Sequence, residues 1–172
     1  MVASINLPFT FGEEPRFITF MLNYAQPTYQ SIPKITSCND TIKSYENKKL
    51  LIIKEFDNHS CIIFITSEIW TNQSNDPFTC VTTHYIDSNW KLHKKILGLR
   101  IIYHPHAEST IYDSITSVFK EFDIQSKIFS ITFDNASNNK SVINLFVRII
   151  REGPLNEIFH VRCIYHIINL IV

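Results

Sequence analysis

The chain has 172 residues, 45% of them apolar, enough for one sizeable core and too few for two ordinary domains. Its 16 basic and 16 acidic residues cancel, so no global charge announces a polyanionic partner, and nucleic-acid binding would need a local patch. Three glycines, Gly12, Gly98 and Gly153, cannot assemble a Walker phosphate loop or a dinucleotide-binding turn, and neither G-x-S-x-G nor H-E-x-x-H occurs.

Cysteines at 38, 61, 80 and 163 form no C-x-x-C pair, and Glu13 and Glu14 interrupt the region where a secretory segment would be apolar. A reduced, intracellular protein is expected. The run IYHIINLIV (164–172) is broken by His166 and Asn169 and is far shorter than the roughly 20 residues that span a bilayer, so no membrane span is expected.

Pro8, Pro15, Pro27 and Pro33 exclude one long element over the first 38 residues. A short helix near 14–23 is predicted there, followed by an extended connector. Asp40 is a plausible N-cap for a helix to about Phe56, on which Ile42, Tyr45, Ile52, Ile53 and Phe56 recur near helical spacing. Three runs rich in Ile, Thr, Val and aromatics read as strands, at 61–70, 78–87 and 90–102. The short D-S-N turn makes the last two an antiparallel hairpin. The first run is almost wholly apolar before its end, as expected of a strand buried on both faces at the centre of a sheet. The third carries Lys91, His93, Lys94 and Lys95, which suits an edge strand.

Ile111, Ile115, Val118, Phe119 and Phe122 mark an amphipathic helix over 109–122. A fourth strand at 127–135 leads to a helix that Ser137 can cap, with Val142, Leu145, Phe146, Ile149 and Ile150 as its apolar stripe. Gly153 and Pro154 break the chain, FHVRC (159–163) reads as a fifth strand, and a helix follows to Val172. The order β-β-β-α-β-α-β-α matches a mixed α/β sheet of the ribonuclease-H-like kind, with the first and fourth strands side by side. Residues 1–57 form a small helical and extended segment before the core, and 58–172 the partial ribonuclease-H-like domain.

In such a sheet, polar residues at the C-terminal ends of neighbouring parallel strands converge on one crevice. Glu68 ends the first strand and Asp134 the fourth. Two carboxylates there could share divalent metal ions for displacement at a phosphodiester; equally, Asp134 could open a turn and Glu68 could be solvated. Lys91, His93, Lys94, Lys95 and Arg100 could touch phosphates with Trp90 stacking on a base, or could simply protect an edge strand. Trp70, beside Glu68, reads as core packing in preference to a DNA contact. Cys163 and His166 have half of a zinc-site spacing, with no second half in the chain, and are otherwise a small buried residue and a hydrogen-bonded helix residue.

Three stretches carry a resemblance in order and spacing: TSEIWTNQ (66–73) with the following YIDSNWKLHKKILG, TFDNASNN (132–139), and RCIYHIINLIV (162–172). Together with LPFTFGEEPRFITFMLNYAQPTYQSIPKIT before them, they resemble hAT-superfamily DNA transposases of the plant, BED zinc-finger type, over nearly the whole chain. The resemblance implies a nuclear protein derived from cut-and-paste transposition of DNA, with three acids binding Mg²⁺ or Mn²⁺. The first acid is an Asp in that family, and Glu68 stands at its position. The second is Asp134. The third, a Glu on a late helix, is expected beyond residue 172, as are a zinc finger before the chain and a dimerisation region after it. Cys163 and His166 match the C-x-x-H pair near the family's active site, where it supports handling of the transposon end. Without that third acid the expectation is a catalytically inactive fragment, and the Glu at position 68 weakens the site further, since a departure of about 1 Å at a reacting centre can cost on the order of 10²-fold in rate. The alternative is a domesticated or remnant module that binds nucleic acid or a full-length relative without catalysis. Poor solubility is expected of the chain alone, because its last helix is apolar and uncapped.

Overall fold

The computed structural model describes residues 6–58, 62–103, 108–133, 142–146 and 159–169. The chain divides into two compact units, Met1–Ile52 and Ile53–Val172.

In the first unit a 3-10 turn (Phe9–Glu13) leads into α1 (Pro15–Phe20), which ends in a single π turn (Met21–Ala25). Pro15 sits in the first turn of α1, where its missing N–H leaves no bond unmade. The rings of Phe11, Phe17 and Tyr29 cluster, with centroids 4.4 and 5.8 Å apart in succession. Gly12 permits close chain approach here, since a Cβ would lie 2.6 Å from the carbonyl oxygen of Ile32. The long helix α2 (Lys34–Asn58) begins at Lys34 rather than at Asp40. Pro33 closes the extended connector and its carbonyl accepts the Ser37 N–H at 3.1 Å, so the helix nucleates one segment earlier than the Asp40 cap signal suggested.

In the second unit, β1 (Ile63–Thr71), β2 (Pro77–Ile86), β3 (Leu92–Ile101), β4 (Ile128–Phe133) and β5 (Phe159–Arg162) form one mixed sheet in the order β3-β2-β1-β4-β5. The chain interleaves α3 (Glu108–Glu121), the helical residues 142–146 (α4) and α5 (Ile164–Asn169). β1 lies at the centre, antiparallel to β2 and parallel to β4, and β4 is parallel to β5. The β2–β3 hairpin is antiparallel and β3 is an edge strand, both as the sequence predicts. Its turn is knit by Asp87, whose Oδ1 accepts the N–H groups of Asn89 and Lys91 at 2.8 and 3.0 Å.

One face of the sheet carries the core. Ile63, Ile65, Val81, Tyr85, Ile131 and Phe133 are buried on it, and the apolar stripe of α3 (Ile111, Ile115, Val118, Phe119) is buried with them. Each such side chain contributes about 1.5–3 kcal/mol by leaving water. Phe146 of α4 packs on Phe133, Phe119 and Tyr112, with ring centroids 4.8–6.1 Å apart. On the same face Glu55 of α2 accepts hydrogen bonds from Tyr85 Oη and from Lys95 Nζ, the latter at 2.7 Å.

The opposite face differs from expectation. β1 alternates between buried and exposed positions instead of being buried on both sides, with Phe64 39% and Trp70 43% exposed. Apolar composition made burial on both faces possible; among the described residues only one face is closed. Ile96, Leu99 and Ile101 of β3 are exposed on this open face too.

Candidate active site at the parallel strand ends

The parallel pairing of β1, β4 and β5 finishes along one row, but β1 itself runs on to Thr71 paired with β2 alone, so Glu68 lies within that strand and not at its end as the sequence suggested. Ser67 of β1 lies opposite Phe133 of β4, which lies opposite Arg162 of β5, and the row behind it is Thr66, Thr132 and Val161. The next residues along the chain are Glu68, Asp134 and Cys163. The Cys163 N–H donates to the Phe133 carbonyl at 3.1 Å, and the Cys163 carbonyl accepts the Ile167 N–H, so this half-buried cysteine joins the strand end to the first turn of α5.

Glu68 is exposed and belongs to the open face, since it follows Phe64 and Thr66 in the β1 alternation. It sits opposite Cys80 of β2. Directly before it, Ser67 is buried on the covered face, its hydroxyl 2.9 Å from that of Thr79, also buried. This pair satisfies two polar groups that would otherwise be stranded in the core and fixes β1 against β2 just where the acid emerges. Asp134 lies outside the described residues, as do His104, His106 and Ser137. His166 falls within α5, and only its place on that helix is described.

A carboxylate oxygen is the ligand type that Mg²⁺ and Mn²⁺ prefer, and the thiol of Cys163 is not. Glu68 therefore fits a hard divalent ion as one donor. No group of three His, Cys, Asp or Glu side chains able to hold a metal occurs among the described residues.

The four basic residues of β3 and its turn do not form one patch. Lys94 is exposed on the open face, and Lys91 is exposed in the turn. Lys95 and Arg100 point to the covered side, where Lys95 pairs with Glu55 and Arg100 with Glu121. His93 is also held, its Nε2 2.7 Å from Asp87 Oδ2 and its ring stacked 5.1 Å from that of Tyr85. The hydrogen bond from His93, with those from the Lys91 and Asn89 backbone, lowers the Asp87 carboxyl to about 2. Trp90, at φ 61° in the turn, is exposed.

Two features escaped the sequence reading. Trp70 is not in the core; it lies on the open face beside Glu68 with its indole stacked on Phe78, centroids 6.1 Å apart and planes 23° from parallel. His160 on β5 has a buried Nε2 with no hydrogen-bond partner among the described residues, and burial followed by the nearby Arg162 charge holds its pKa below the ordinary histidine value. The alternation of β1 could have placed Trp70 with Glu68; nothing local marks His160.

Among known proteins, the family profile described as "ZBED1 RNase-like domain" matches residues 66–156. The chain is 26% identical to an AC transposase of Zea mays over 95% of its own length and 21% of that protein's. It is 24% identical to zinc finger BED domain-containing protein RICESLEEPER 2 of Oryza sativa subsp. japonica, over 99% of the chain and 24% of the relative. Against zinc finger BED domain-containing protein DAYSLEEPER of Arabidopsis thaliana the identity is 23%, over 90% and 22%. The chain thus spans between a fifth and a quarter of the length of these relatives. No solved structure gives a significant match. No helix among the described residues is long and apolar enough to cross a membrane. With its mixed five-stranded sheet and the profile match over more than half its length, the chain belongs to the ZBED1 RNase-like domain family, of the hAT transposase-like type.

Proposed function

We propose that this chain forms part of a DNA-processing site of the transposase type, with Glu68 and Asp134 as the carboxylates for Mg²⁺ or Mn²⁺, and that the 172-residue chain alone does not catalyse transposition. The observation that supports the site is the parallel register of β1 and β4. Ser67 lies opposite Phe133, and each is followed in the sequence by an acid. Divalent ions at such a pair stabilise the attacking and leaving oxygens of a phosphodiester displacement. The chain's own part is to supply the two carboxylates, with the Ser67–Thr79 hydroxyl pair fixing β1 against β2 directly before Glu68. Cys163, bonded to the end of β4, and His166 of α5 stand next to this edge and support the DNA end.

Glu68 supports the inactive reading by weakening the site. Its extra methylene displaces the carboxylate by roughly 1 Å from where an Asp would hold it, enough to cost on the order of 10²-fold in rate. Calorimetric titration with Mn²⁺ and a nicking assay on duplex DNA test both parts. The expected result is weak Mn²⁺ binding, lost in Asp134→Ala and tightened in Glu68→Asp, with no nicking by the unaltered chain. Metal binding indifferent to Asp134→Ala would remove the site; nicking that this change abolishes would remove the inactivity.

The exposed apolar side chains of the open face favour a second reading, a module that binds DNA or a full-length relative without catalysis. Nuclear residence belongs to either version. A gel shift at low salt that stays flat would sink the DNA-binding form of this reading.

A further inference from the structure

We infer that the Trp70–Phe78 pair is a stacking platform for an unpaired nucleobase, seated beside the phosphodiester that Glu68 addresses; the inference rests on the DNA-processing reading above. The indole is 43% exposed, a large apolar side chain left in water on a strand whose alternate positions are buried. It is nevertheless held rigidly. Phe78, its register partner on β2, stacks beneath it, and the adjoining β1–β2 turn is pinned by Asn72, whose Oδ1 accepts the N–H groups of Ser74 and Asp76. The Asn72 side-chain amide also donates to the Asp76 carboxylate at 3.0 Å.

Trp70 and Glu68 share a face two residues apart, which at about 3.3 Å per residue separates them by roughly 7 Å. A phosphate at the acid therefore leaves the base of an adjacent nucleotide within reach of the indole. The base has to be unpaired, because in a duplex both of its faces are already stacked and only a strand end or an extruded base offers one. Every base has such a face, so the platform is indifferent to sequence and contributes affinity and position. Among the described residues of the open face around it, Thr66, Cys80 and Leu99 carry no charge.

The chain has two tryptophans, Trp70 and Trp90, so Trp90→Phe leaves Trp70 as the sole indole reporter. In that background, titration with an oligothymidylate at low salt is expected to quench the emission. Trp70→Leu is expected to weaken oligothymidylate binding, followed by gel shift, about 5- to 100-fold, with Trp70→Phe closer to the unaltered chain. A blunt duplex is expected to quench far less than the single strand. If the gel shift shows DNA bound while the Trp70 emission is unchanged and Trp70→Leu binds equally well, the platform is refuted and DNA binding stands. If no DNA binds at all, the platform and the DNA reading fall together.

Discussion

Gly98 lies where β3 passes under α3, and the close approach sets a measurable cost for its replacement. An added Cβ would meet the two methyl carbons of Val118 at 2.9 and 3.4 Å and Arg100 Nη1 at 3.2 Å. Carbon atoms are comfortable at about 3.5–4.0 Å, so the nearest methyl is more than half an ångström too close. Val118 is fully buried, and its neighbours Ile115 and Phe119 are buried with it, so the methyl has nowhere to retreat without moving the helix. Overpacking of this kind costs about 1–3 kcal/mol, and Gly98→Ala is expected to lower the free energy of unfolding by that amount in urea. For a chain of this length the melting temperature should drop by roughly 2–4 °C per kcal/mol. Val118→Ala alone removes buried methyls at about 0.8 kcal/mol for each carbon, before any cavity cost. In the double variant the two losses should offset, with a coupling of at least about 1 kcal/mol. If Gly98→Ala is neutral within about 0.5 kcal/mol, or the double variant is strictly additive, the packing of α3 on β3 is not as described.

Ser67→Ala should cost about 1–3 kcal/mol because it strands the buried hydroxyl of Thr79, whereas Ser67→Ala with Thr79→Val removes both groups and should recover most of the loss; equal losses in the single and double variants would contradict this. Glu55 yields a pH signature. Burial raises its pKa, but the hydrogen bonds from Lys95 and Tyr85 outweigh this and hold it below the ordinary value of 4.5. A carboxyl lowered in the folded state stabilises above its unfolded pKa, and that stability fades as pH falls through the folded value. Glu55→Gln should therefore cost about 1 kcal/mol at neutral pH, since the group is partly exposed, and the gap from the unaltered chain should close as pH falls below the ordinary carboxylate range. A gap that persists at low pH would assign the loss to packing instead.

Residue type located the five strands and period-3.6 patterning the α3 stripe, because both are written in a segment's own residues. What the patterning could not locate is anything that depends on a distant partner. Lys95 and Arg100 read as a basic stripe with Lys91 and Lys94, yet their carboxylates, Glu55 and Glu121, stand 40 and 21 positions away in the chain. The start of α2 was misjudged because Asp40 offered a cap signal while Pro33 offered a stronger stop to the connector. Trp70 reads as core packing in the sequence, but an aromatic residue type says what could be buried and not which face of the sheet a helix covers. Of the candidate site, Cys163 falls at the predicted strand end, Glu68 lies three residues inside the end of β1 where the parallel pairing stops, and Asp134 lies beyond the last described residue of β4.

The pairing of Lys95 and Arg100 also limits how β3 could engage a duplex. Cations already neutralised by Glu55 and Glu121 carry few condensed ions of their own to exchange, and they displace none from DNA unless those internal pairs first break. Two ammonium groups remain, those of Lys91 and Lys94. With a slope of about −0.9 per phosphate contacted, log Kobs against log salt should fall near −2 for this strand, not the roughly −4 that four basic residues would suggest.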